Sequence, residues 1–63
     1  MQTRYSIYLD LPSGAVFVLS RTGHPFVTRR AAIAAGERER MRHKCAAWLV
    51  TIKGGAISTF AAL

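Results

Sequence analysis

From Tyr5 to Leu11 the chain reads Tyr-Ser-Ile-Tyr-Leu-Asp-Leu, with an apolar residue at every odd position. A period of two is what a half-buried β-strand requires, because successive side chains leave a strand on opposite faces. Pro12-Ser13-Gly14 then supplies turn chemistry, with Gly free to take positive φ, and residues 15–19, Ala-Val-Phe-Val-Leu, return as a second strand. Residues 4–21 therefore read as a β-hairpin. With a three-residue loop, Leu11 would face Ala15, Leu9 would face Phe17 and Ile7 would face Leu19, which gathers one apolar face.

Thr22-Gly23-His24-Pro25 reads as a loop, since neither Gly nor Pro continues a strand well. Thr28 is a suitable helix N-cap, its hydroxyl able to accept from the first free amides. Residues 29–47 are mostly helix formers. Helical spacing puts Ala34, Met41, Cys45 and Trp48 along one stripe, with Arg29, Glu39, Arg40, Arg42, His43 and Lys44 spread over the other side. Gly36 is the weak point, costing about 1 kcal/mol relative to Ala inside a helix; one continuous helix is still expected. A helix-turn-helix can be drawn through Ala32 and Gly36. Against it, the charged run Glu37-Arg38-Glu39-Arg40 follows where that motif wants an apolar residue, and strands flank both sides.

Residues 48–53, Trp-Leu-Val-Thr-Ile-Lys, favour a strand. Gly54-Gly55 is a two-residue turn of the type hairpins prefer. The resulting register pairs Ile52 with Ile57 and Val50 with Thr59 on one face, and Leu49 with Phe60 on the other. The expected fold is α+β in the order ββαββ: a small antiparallel sheet of two hairpins with one amphipathic helix on one face. How the hairpins join stays open.

At 63 residues there is one small basic domain, spanning residues 1–63. A chain of this size buries only about 60% of its unfolded surface, and many such chains lean on disulfides, a metal or oligomerisation. Cys45 is the only cysteine, so no disulfide forms within the chain. Metal ligands are few and scattered, so neither a metal nor a cofactor is expected. Nine Lys and Arg against three acids leave a net charge of +6, which favours an anionic partner. The start has no signal-peptide pattern and no stretch approaches the ~20 apolar residues of a membrane span. A cytoplasmic protein without a membrane role follows.

Catalysis is not expected. The acids are Asp10, Glu37 and Glu39, Asp10 sits by a turn, and His24 lies in a loop. His43 and Cys45, two apart on a helix, point in different directions. Cys45 reads as a small apolar core residue, and no small-molecule substrate is implied.

Binding has two candidate surfaces. Arg29, Arg30, Arg38, Arg40, Arg42 and Lys44 make the helix basic, opposed by Glu37 and Glu39, which can pair with Arg40, Arg42 or His43. Arg suits bidentate phosphate or carboxylate contacts, and Arg29 and Arg30 sit at the helix start, where the macrodipole disfavours cations. The second surface is the sheet. With the helix over Ile7, Leu9, Phe17, Leu19, Val50 and Ile52, the other face holds Tyr8, Val16, Val18, Leu49 and Phe60, an apolar patch suited to a partner or a second copy. Tyr8 and Phe60, with Arg4 and Lys53 at the edges, could also stack on bases.

The expected function is a small nucleic-acid-binding module that uses the basic helix. The alternative is an inhibitor or adaptor of phage or mobile-element type, for example an anti-CRISPR or other anti-defence protein. It would dock on a larger target through the apolar face or the Arg-rich helix. Homodimerisation is compatible with both.

Overall fold

The computed structural model describes residues 2–63; Met1, where the reading for targeting signals began, lies outside them. The element order is β1 (Thr3–Leu11), β2 (Gly14–Val18), α1 (Arg29–His43), β3 (Ala46–Lys53) and β4 (Ala56–Ala62). All strand pairs are antiparallel, in the order β2-β1-β3-β4, with α1 packed on one face through β1 and β3. This is the expected ββαββ, α+β fold. It also answers how the hairpins join: β1 and β3 pair side by side, from Thr3 opposite Lys53 to Asp10 opposite Ala46.

The first hairpin differs from expectation by one residue. Leu11 pairs with Gly14, leaving Pro12 and Ser13 as the loop, so Leu9 faces Val16, Tyr8 faces Phe17 and Ile7 faces Val18. A one-residue slip turns every side chain of a strand to the opposite face. Phe17 therefore joins Tyr8, while Val16 and Val18 stand on the side of Ile7 and Leu9. Leu19 lies past the end of β2 and is 42% exposed.

The second hairpin turns at Gly54-Gly55 as expected, with both glycines at positive φ (58° and 82°), as a two-residue hairpin loop demands. Ile52 faces Ile57, but a bulge between Thr51 and Ile52 shifts the remainder. Thr51 faces Thr59, Val50 faces Phe60 and Leu49 faces Ala61. A bulge sets two residues of one strand against one of its partner; here it moves Phe60 from Leu49 to Val50.

Thr28 caps α1 as anticipated, its hydroxyl accepting from the Ala31 amide at 3.2 Å. The helix runs unbroken through Gly36, with no turn there. It stops at His43, short of residue 47: Lys44 takes a left-handed conformation (φ 51°, ψ 51°) and its N–H donates to the Arg40 carbonyl. From Ala46 onward the backbone is committed to the β1 ladder, and that pairing overrides the helix propensity of Ala46 and Ala47. Cys45 consequently leaves the helix, while Trp48 stands in β3 as its strand reading had it, off the helical stripe. The buried stripe is Ala32, Ala35 and Gly36, in place of Ala34, Met41, Cys45 and Trp48; Met41 is 74% exposed.

These small residues let α1 lie close to the sheet. A Cβ at Gly36 would fall 2.5 Å from Leu63 Cδ1 and 2.6 Å from Ile7 Cδ1, so close approach explains a glycine inside this helix. Beneath α1 the core is Ile7, Leu9, Ala32, Ala47 and Leu49, with Tyr5, Leu11, Val18, Phe26, Ile33, Cys45 and Leu63 packed around it. Phe26 is held by two backbone bonds with Tyr5, 2.9 and 2.7 Å. Leu63 is held by its N–H donating to the Ala47 carbonyl at 3.0 Å.

Candidate functional site

Registers assign the two faces of the sheet. Ile7 with Leu49 and Leu9 with Ala47 lie under the helix; Tyr8 with Trp48, Ser6 with Val50 and Arg4 with Ile52 lie on the open side. Of the five residues expected to form an apolar interaction face, Tyr8 and Phe60 are there. Val16, Val18 and Leu49 are on the helix-covered side, and Val50 and Ile52 move the other way. The shorter first turn moves Val16 and Val18, and the pairing of Ile7 with Leu49 sets the faces of β3; the bulge in β4 then leaves Phe60 opposite Val50 on the open face.

The open face that results is more aromatic than the one expected. Tyr8 sits at its centre and meets three rings edge-on: Phe17 at 5.4 Å, Trp48 at 5.5 Å and Phe60 at 5.7 Å between centroids, with interplanar angles of 72°, 63° and 80°. Edge-to-face geometry sets the positive ring edge against the negative ring face, and each such pair contributes about 1 kcal/mol beyond area burial. The cluster shields Val50 (0% exposed) and Ser6 (1%), and the Ser6 hydroxyl donates to the Val18 carbonyl at 3.0 Å. Phe17, Ile57 and Phe60 remain about half exposed, at 51%, 53% and 50%. Phe17, Trp48 and Ile57 were absent from the sequence-based face. The Pro12-Ser13 pair was the one available signal for Phe17; a bulge leaves no trace in a single sequence. Arg4 is on the open face, whereas Lys53, opposite Thr3, points to the other side.

The second surface is α1. Arg29, Arg30, Arg38, Arg40, Arg42 and Lys44 are all exposed. They do not form one stripe. At 3.6 residues per turn, and with Ala32, Ala35 and Gly36 facing the sheet, Arg29 and Arg40 fall on one flank, and Lys44 follows at the left-handed cap beyond the helix. Arg38 and Arg42 fall on the other, and Arg30 lies near the crest with Ala34, Glu37 and Met41.

Carboxylates do little to neutralise this array. Glu39, the least exposed acid of the helix, meets His43 Nε2 at 3.2 Å and Arg42 at 4.0 Å, two of the pairings the sequence suggested. Among the described residues, no ion pair involves Glu37, Arg29, Arg30, Arg38, Arg40 or Lys44. The first turn of α1 holds no acid to set against Arg29 and Arg30.

Elsewhere the chemistry is sparse. An open hollow of about 570 Å³ lies between Arg4, Ser20, His24, Phe26 and Thr28. Cys45 is free and half-buried against the core. Among the described residues, no three His, Cys, Asp or Glu side chains converge as a metal site would need, and no helix is long and apolar enough to cross a membrane. No protein-family model, curated protein or solved structure matches this chain.

Proposed function

We propose that this chain is a small nucleic-acid-binding domain that lays α1 along the groove of a duplex. The observation that carries the reading is the pair of arginine flanks on α1 together with Lys44 at its C-cap, five side chains with one weak carboxylate contact among them. A helix about 10–12 Å across fits a B-form major groove about 12 Å wide. In that pose Arg29, Arg40 and Lys44 reach the phosphates of one strand, and Arg38 and Arg42 reach those of the other. Arg30, Ala34, Glu37 and Met41 would face the groove floor. One cation, one acid and two apolar groups read few base edges, so affinity resides in phosphate contacts and sequence preference is weak. Arg29 and Arg30 are then explained despite their unfavourable place at the helix start.

The test is binding to duplex DNA, single-stranded DNA and duplex RNA across a salt series. Five phosphate contacts imply that log K falls with log salt at a slope of about −4.5 on duplex DNA. Duplex RNA should bind more weakly, because its major groove is too narrow for a helix. Replacing Arg38 and Arg42 with Gln should reduce the slope by about 2. Undetectable binding to every nucleic acid at low salt would overturn the proposal. The second reading would then take precedence: an inhibitor or adaptor that docks on another protein, favoured by the exposed rings of Phe17 and Phe60.

A further inference from the structure

We infer that the open face of the sheet is the contact surface between two copies of this chain, packed sheet to sheet with β1 antiparallel over β1. This inference does not depend on nucleic-acid binding, which belongs to the opposite side of the molecule.

Three observations carry it. The first is surface area. The chain exposes 4458 Å², whereas a monomer of its mass typically exposes about 4,000 Å². The excess is close to the footprint of one face of the sheet, about 500 Å² at ordinary strand spacing and rise. Two such faces in contact bury about 1,000 Å², the threshold at which specific association becomes sustainable.

The second is where the large apolar side chains lie. The helix covers a core with two alanines among its five buried members, while the four-ring cluster around Tyr8 lies on the uncovered face. Packing against an equivalent layer is how a sheet with two apolar faces removes both from water.

The third observation selects a second copy as the occupant. By strand register, Arg4 and Asp10 are, among the described residues, the only charged side chains on this face, one near each end of β1. Six residues of strand separate them by about 20 Å, so they do not pair within the chain. The Arg4 guanidinium donates to the Thr3 carbonyl (3.2 Å) and to Gln2 Oε1 (2.9 Å), and meets no carboxylate. A two-fold axis between the sheets, perpendicular to β1 and passing beside Tyr8, sets Arg4 over the second copy's Asp10 and Asp10 over the second copy's Arg4. Such an isologous contact satisfies both charges with one operation and leaves the apolar centre free of charge. The face is otherwise neutral, which makes it a poor platform for a polyanion.

Sedimentation equilibrium of the full chain without nucleic acid tests the inference, with circular dichroism confirming the fold of each variant. The expected mass is twice 6.9 kDa, and Phe60→Ser should return the chain to monomer. Arg4→Asp or Asp10→Arg alone should weaken dimerisation at least about tenfold by opposing like charges. The double variant Arg4→Asp/Asp10→Arg should restore it. A monomer up to millimolar concentration would overturn the inference, as would a dimer that survives Phe60→Ser. Failure of the double variant to rescue would overturn the antiparallel arrangement. Quenching of Trp48 fluorescence by single-stranded nucleic acid, lost in Phe60→Ser, would assign the face to bases and overturn the second copy.

Discussion

The two faces of the sheet handle burial in opposite ways. Under α1, the side chains are modest in size and fully enclosed: Ile7 is 0% exposed, Leu9 1% and Leu49 3%, fitted against Ala32, Ala35 and Gly36. On the other side, larger rings stand half in water around Tyr8 and cover only Val50 and Ser6 completely. The first face works by close approach and the second by ring area. What matters for stability is whether a layer lies on top. A methylene removed beneath α1 leaves a cavity that the packed backbone cannot close, whereas a ring removed from the open face leaves a site that water fills.

Predictions follow from that contrast, in order of expected size. Ile7→Ala should cost about 3 kcal/mol, enough to remove most of the stability of a domain this small, with urea unfolding as the measurement. Gly36→Val should cost about 2 kcal/mol by driving α1 off Ile7 and Leu63, read as a lowered Tm; an unchanged Tm would show that the helix can slide and that close approach is not essential. Thr28→Ala should cost about 1 kcal/mol through loss of the bond to the Ala31 amide, checked by the same urea titration. Phe60→Ser, unfolded at concentrations too dilute for association, should cost about 1 kcal/mol. A loss approaching that of Ile7→Ala would break the comparison, because the open face would then be core in its own right.

Much of the architecture was legible in local signals. Alternation from Tyr5 to Leu11, the Gly54-Gly55 turn, the Thr28 cap and the Ala- and Arg-rich stretch between them mark four strands and a helix in the right order. The five arginines of the helix and Lys44 at its cap were also legible, since exposure of Arg and Lys follows from charge alone. The faces were not legible. Phe17 and Val18 exchange sides on one residue of turn length, Leu49 and Val50 exchange sides on the register between β1 and β3, and Phe60 changes partner because of a bulge.

Local patterning by itself determined the ββαββ order and the concentration of positive charge between Arg29 and Lys44, because periodicity, capping and turn chemistry act within a few residues. Only the tertiary structure decided which side chains share a face. That choice depends on strand register and on where the helix yields to the ladder, both set by pairing between residues distant in the chain. Tyr8, Phe17, Trp48 and Phe60 meet for that reason, and Gly36, a liability when α1 is considered alone, becomes the position where the helix can touch Ile7.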